Sequence, residues 1–166
     1  MLEVTKKLRD PAHTSCPAVW NAHARSNVPY ALSSCAIALL GATLLLAGWL
    51  GPGVLLCFQA VASFFADVWY CGVRSLWHGI DKWCSVASAV VLLFVFGSFV
   101  SACCADSALH LVRFVAAAVA PLAAAAMSYR RSAAAQRAGD MERYFLFHAL
   151  WHYAIAASSV AVMLRC

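Results

Sequence analysis

Charge is what this sequence is short of. Asp, Glu, Lys and Arg together make up 11% of its 166 residues, where a soluble domain carries about 25%. A chain so poor in charge cannot clothe a water-facing surface, which excludes a soluble enzyme or a soluble binding module. Other absences narrow the chemistry. The sequence has no Gly-rich phosphate loop, no Cys-x-x-Cys metal knuckle and no nucleophile elbow, so the common sequence signatures of nucleotide binding, thiolate zinc sites and Ser-elbow hydrolases are missing. It has no internal repeat, and its first residues lack the apolar core of a secretory signal peptide.

What is present is apolar. Hydrophobic residues reach 64% and the mean hydropathy is +0.77, which reads as an integral membrane protein. The formal net charge of +5 is therefore a record of topology rather than a nucleic-acid signal. Of the eight cysteines, Cys35, Cys57 and Cys84 fall in or beside apolar runs and behave as small apolar residues. Cys103, Cys104 and Cys166 lie near the expected outer face, where oxidation is open to them.

Residues 1–28 are polar and mixed, and read as a short, partly disordered cytoplasmic tail. Residues 29–166 read as one all-α, polytopic transmembrane helical bundle of about five spans. The expected spans are Tyr30–Leu50, Val54–Tyr70, Trp83–Cys103, Ala108–Met127 (kinked near Pro121) and Glu142–Leu164, the last capped by Asp140. Each run is about 17–23 residues, enough to cross a hydrocarbon core of about 30 Å. Ser128–Met141 reads as a basic, Ala-rich loop. Nine of the twelve Lys and Arg fall in the tail, the second-to-third connection and that loop, and a tenth, Arg143, directly follows it, so the N-terminus is expected in the cytoplasm and the C-terminus outside. An endomembrane of the ER or Golgi is the expected location, with an organellar membrane as the alternative.

The polar residues of the apolar runs meet at one depth. His148 and His152, in Phe145-Leu-Phe-His-Ala-Leu-Trp-His-Tyr153, are four apart and share a helix face. Asp67 lies three residues inside Tyr70, Ser63 is one turn deeper, and Asp81 stands at the mouth of the third span. All five fall within roughly a dozen ångströms of the cytoplasmic surface at ~1.5 Å per residue. An ionisable residue inside a membrane is a functional hypothesis by default. Two imidazoles and a carboxylate form a ligand set for catalytic zinc that leaves a position for water, with Asp67, His148 and His152 as the ligands. Asp81 then shuttles a proton or orients a ligand, and Ser63 helps hold a substrate carbonyl oxygen. The bland reading is that these residues hydrogen-bond to neighbouring helices and that Asp81 caps the third. His78 is a spare ligand candidate. His110 and Arg113 share a face near the opposite leaflet and read as a structural or headgroup contact.

His148-Ala-Leu-Trp-His152 resembles the His-x-x-x-His signature in the last span of the CREST superfamily of membrane hydrolases. That group holds the alkaline ceramidases, the progestin and adipoQ receptors, and the GPI-anchor lipid remodelling hydrolases. Ser63-Phe-Phe-Ala-Asp67 resembles its early Ser-x-x-x-His, with Asp67 where the family carries a third His, and Asp81 matches its Asp at the start of the next span. The family has seven spans and this chain has about five. The resemblance implies zinc held by His148 and His152, supporting roles for Ser63 and Asp81, and a lipid amide or ester as substrate, with membrane lipids as the partners. The competing expectation is a non-catalytic accessory or structural subunit of a larger membrane assembly, organellar or otherwise. Haem is disfavoured, because two His at i,i+4 suit one small ion better than axial ligands approaching from opposite faces. No nucleic-acid partner is expected.

Overall fold

A computed structural model describes residues 17–73, 75–103 and 108–163, without the side chains of 17, 18, 99, 100, 102, 103, most of 108–121 and 161–163. Cys103, Cys104, Cys166, His110, Arg113 and the Pro121 kink lie outside these described residues and side chains.

The described residues are helical, with no strand among them. The helices are α1 (Pro17–Ser26), α2 (Val28–Leu46), α3 (Leu50–Ser63) running on into a π-helical turn (Phe64–Trp69), α4 (Leu76–Cys103), α5 (Ala108–Ala138) and α6 (Met141–Met163). Local chemistry sets their ends. The Asn27 side chain accepts the Tyr30 N–H at 3.2 Å to cap α2, and Pro29 sits in its first turn, where a missing N–H costs nothing. Gly48 turns α2 into α3, and Gly139 turns α5 into α6, both in the left-handed region at φ of 83° and 73°. Asp140 caps α6 as the sequence predicts, accepting the Arg143 N–H at 3.1 Å.

α6 packs against α5 and α2, α2 packs against α3, and α3 packs against α4. The α2–α3 contact is close enough for backbones to touch. A Cβ built on Gly41 would lie 2.8–2.9 Å from Cys57 Sγ, Cys57 N and Gly53 O. Membrane helices commonly associate through such small residues. One core, around Leu40, Leu44, Leu56 and Val95, fills the middle of the bundle. A second, around Trp20, Tyr30, Tyr144 and Phe145, closes one end, with the Tyr30 and Phe145 rings edge-on at 4.5 Å. Leu39, Val90, Leu93 and Phe94 point outward and are exposed, as lipid-facing residues should be.

Three helical stretches among the described residues are long and apolar enough to cross a membrane: Val28–Leu46, Leu50–Trp69 and Leu76–Ser98. They coincide with the first three expected spans. α5 and α6 are not among them. The described side chains of α5 come mostly from its alanine- and arginine-rich half, and α6 carries two imidazoles and a charged first turn.

Three local expectations change. The stretch read as a polar tail contains α1, a helix that buries Trp20 and Ala24 against the end core. Its Asn21 and Arg25 side chains donate to the Trp69 carbonyl at 2.6 and 3.0 Å, and the Arg25 guanidinium lies 4.2 Å over the Trp69 ring. The Ala-rich loop is helical as far as Ala138, in keeping with alanine's high helix propensity. α4 begins at Leu76 rather than Trp83, which puts Asp81 inside the helix and removes its reading as a cap.

Candidate metal centre

The α3 helix carries Gln59, Ser63 and Asp67 at four-residue intervals, and so along one side. After Ser63 the helix widens into its π turn, where the Tyr70 N–H bonds the Phe65 carbonyl at 2.9 Å. Such π segments recur at functional sites. Asp67 lies inside this turn. His148 and His152 project from α6 one turn apart, their ring centroids 4.8 Å from each other.

These elements bring three potential ligands together. Asp67, His148 and His152 each offer one ligand atom, and the three atoms lie within 4.8 Å of one another. His148 Nε2 is 3.1 Å from Asp67 Oδ2. His152 is buried, while His148 and Asp67 keep partial exposure. The Tyr30 and Tyr144 rings flank His148 with centroids at 5.6 and 5.2 Å, so the imidazoles sit in an aromatic wall.

Each of the three groups has its own serine. Ser63 Oγ donates to Asp67 Oδ2 at 2.9 Å. Ser33 Oγ, from α2, lies 3.0 Å from His152 Nδ1 and donates to the Tyr30 carbonyl at 2.7 Å. With its proton committed there, Ser33 can only accept from His152, which places that imidazole's proton on Nδ1 and leaves Nε2 as a lone pair. Ser132 Oγ, from α5, lies 3.4 Å from His148 Nδ1, the longest of the three contacts. All three serines are buried, at 1–2% exposure. Outer hydrogen bonds that fix the tautomer and orientation of a ligand are characteristic of metal sites. A carboxylate and two imidazoles, each so held, match a catalytic ligand set with an open position.

Asp81 stands beside this group and outside it. Its Oδ1 accepts from Gln59 Nε2 at 2.7 Å, and Gln59 Nε2 also donates to Ser85 Oγ at 2.8 Å. Hydrogen bonds link Ser63, Asp67 and His148 in one chain, and Gln59, Asp81 and Ser85 in another. His78 falls away from both: its Nδ1 pairs with Ser75 Oγ at 3.0 Å at the start of α4. Cys71, nearby on the turn after α3, is no thiolate ligand, because burial and then the Asp67 charge push its thiol up to about 12.

Ser33, Ser132 and Gln59 are the polar partners that sequence reasoning misses. Their signal is only a hydroxyl or an amide in an apolar helix. Comparison of the chain with family profiles, with curated proteins and with solved structures gives no match.

Proposed function

We propose that this chain is a zinc-dependent membrane hydrolase that opens a lipid amide or ester, built as a five-span bundle with its N-terminus in the cytoplasm. The observation that carries this reading is the convergence of Asp67, His148 and His152 ligand atoms within 4.8 Å, each backed by a buried serine. The resemblance of Ser63–Asp67, Asp81 and His148–His152 to the CREST superfamily points the same way. Here a carboxylate takes the place of the family's third imidazole, and zinc accepts either ligand.

Zinc, when bound, supplies Lewis acidity, polarising a carbonyl and bringing a water's pKa towards ~7. The chain's own residues do the rest. Ser33 and Ser132 hold the two imidazoles at Nδ1. Ser63 holds the Asp67 carboxylate. Asp81, the carboxylate outside the ligand set, is the group available to take a proton from water and return it to the leaving nitrogen or oxygen. Hydrolysis then places a hydroxyl on the carbonyl carbon, breaks the carbon–heteroatom bond and delivers the proton to the amine or alcohol. Ser63 donates to Asp67 in this arrangement, so its role is to orient that ligand before it is to bind substrate.

A second reading has one observation in its favour. His148 and Asp67 already satisfy each other at 3.1 Å, as an inter-helix pair in a non-catalytic subunit of a larger assembly would. Metal analysis of the detergent-purified protein separates the two. The hydrolase reading expects close to one equivalent of zinc, lost in His148→Ala and in His152→Ala. Metal content unchanged in those variants overturns it.

A further inference from the structure

Helix α5 does not stop where its apolar residues end. It runs on to Ala138 and carries Arg130, Arg131 and Arg137 with it. Ser132 and Ala135 are buried against the rest of the bundle, which fixes the opposite side of the helix as its outer one. Arg130 and Arg137 are seven residues apart, so they line up on that outer side, two turns from each other, and both are exposed. Arg131 lies at the edge of the same face, exposed, with its guanidinium 5.5 Å from the Phe147 ring of α6. None of the three meets an acid. The carboxylates at that end of the bundle are Asp140 and Glu142. Asp140 pairs with Arg143 at 3.4 Å, and among the described residues no ion pair joins Glu142 or any other carboxylate to the three arginines.

Three contacts set the level of this face. α5 and α6 run antiparallel across the Gly139 turn. Ser132 meets His148 at 3.4 Å, Arg131 lies over Phe147, and the Tyr129 and Trp151 rings meet at 5.5 Å. Arg130 and Arg131 therefore stand level with His148, one helical turn inside Tyr144, or about 6 Å at ~1.5 Å per residue. The five-span placement puts His148 below the cytoplasmic surface of the bilayer, so the outer face of α5 borders lipid at this level. A guanidinium there is costly without a counter-charge, and its long stem lets it turn up towards the headgroups. Phosphate suits it, because the planar fork takes two oxygens at once. Arg130 and Arg137 are about 10 Å apart along the axis, a gap that two arginine side chains can close onto one headgroup. Ala134, exposed between them, is too small to stand in the way.

We infer that the outer face of α5 binds an anionic phospholipid of the leaflet that holds the candidate metal centre, its phosphate taken by Arg130 and Arg137 with Arg131 at the edge. A zwitterionic headgroup brings its own cation and gains little from unpaired guanidiniums, whereas a net negative one is drawn by each of them. The inference takes from the reading above the placement of the helices in a bilayer and asks nothing of zinc.

The test uses the full chain in nanodiscs made of equal parts of a zwitterionic and an anionic phospholipid with the same acyl chains. Native mass spectrometry counts the lipids that stay bound when the disc is removed. The anionic species is expected to be retained at least about tenfold over the zwitterionic one, since each arginine near a charged bilayer surface contributes about fivefold. The double variant Arg130→Gln/Arg137→Gln is expected to lose most of that preference. Arg143→Gln, whose guanidinium is already engaged by Asp140, is expected to keep it. Equal retention of the two lipids by the unaltered protein overturns the inference, and so does a preference that survives in the double variant. A loss in Arg143→Gln as large as in the double variant makes the effect one of net charge and overturns the site. Where the double variant fails to fold, Arg130→Lys/Arg137→Lys replaces it, with a partial loss expected because the fork is gone and an unchanged preference counting against the site. Inorganic phosphate that strips the lipid more than chloride of equal ionic strength assigns the arginines to a soluble phosphate and overturns the lipid as occupant. Chain recovered outside the discs removes the membrane reading and the inference together. Chain inside the discs without an anionic preference overturns the inference alone.

Discussion

Ser33 meets His152 with a lone pair. Its hydroxyl proton goes to the Tyr30 carbonyl at 2.7 Å, and its oxygen lies 3.0 Å from His152 Nδ1. Helix α2 thereby favours one tautomer of a residue on α6, the one with its proton on Nδ1 and its lone pair on Nε2. Ser33→Ala is expected to weaken zinc binding by about 10–100-fold, the usual effect of losing an outer partner of a ligand, while the protein stays folded. Ser34→Ala is the control. Its hydroxyl is buried without a partner, so its removal should leave zinc affinity unchanged and stability equal or slightly higher. Competition against a chromophoric chelator measures both.

Asp67 is the carboxylate of the proposed ligand set, and it can be exchanged for an amide or for a third imidazole. Asp67→Asn keeps the shape and the hydrogen bond from Ser63 but removes the charge, so it should fold and lose stoichiometric zinc. Asp67→His makes a set of three imidazoles and should bind zinc, because zinc takes nitrogen or carboxylate oxygen in the same tetrahedral set. Zinc content of the two purified variants decides the point. Binding in Asp67→Asn equal to the unaltered protein removes the carboxylate from the ligand set.

The convergence of Asp67, His148 and His152 was legible in the sequence and the serines beside them were not. A carboxylate and two imidazoles stand out in an apolar run because lipid penalises them, and the i,i+4 spacing fixes their common face without knowledge of any neighbour. Ser33 and Ser132 carry no such mark. Serine is ordinary at helix contacts, and what it touches depends on which helix packs beside it, which spacing along one helix does not determine. α1 escaped notice for a related reason. Its ten residues have no long apolar run, and among its described side chains only Trp20 and Ala24 are fully buried. The π turn around Asp67 leaves no trace in composition either, since it is a matter of backbone hydrogen bonding.

The α2–α3 crossing depends on Gly41. A methyl group there meets backbone atoms, Cys57 N and Gly53 O, both at 2.9 Å, and backbone cannot step aside as a side chain does. Gly41→Ala should destabilise the bundle by about 1–3 kcal/mol, the range for overpacking. Gly97→Ala meets nothing within 4 Å, so it should be neutral or stabilising by up to about 1 kcal/mol through helix propensity. Denaturation in mixed micelles gives both values. Equal effects would mean that the helices do not cross at Gly41.

Arg25 fastens α1 over the end of the bundle that holds the site. It donates to the Trp69 carbonyl and lies over the Trp69 ring, two contacts to the residue that closes the π turn. Arg25→Ala is expected to release α1, with backbone amides 17–26 exchanging with solvent about tenfold faster or more, since such a cation–ring contact is worth about 0.5–2 kcal/mol. Arg25→Lys keeps the charge but loses the planar fork and should restore protection only in part. Hydrogen exchange read by mass spectrometry follows both, and unchanged exchange in Arg25→Ala would show that the remaining contacts of α1, Trp20 and Ala24 in the end core and Asn21 on the Trp69 carbonyl, hold the helix without it.

Cys71 should be a quiet thiol. It is 5% exposed, and its pKa is pushed up to about 12, first by burial and then by the negative charge of Asp67. A raised thiol pKa keeps the proton on below that value, so at pH 7 the reactive thiolate is only on the order of one part in 10⁵. Maleimide labelling of the folded protein at pH 7 should therefore pass Cys71 by, and should reach it after unfolding in detergent. Raising the pH speeds labelling without a plateau until the thiol titrates. Asp67→Asn removes the second cause, which lowers the Cys71 pKa and makes labelling at a given pH faster than in the unaltered protein. Peptide mapping of labelled samples measures both rates. Equal rates in the two proteins would place the Asp67 charge out of reach of Cys71, and with it the packing of the π turn against the residues that follow.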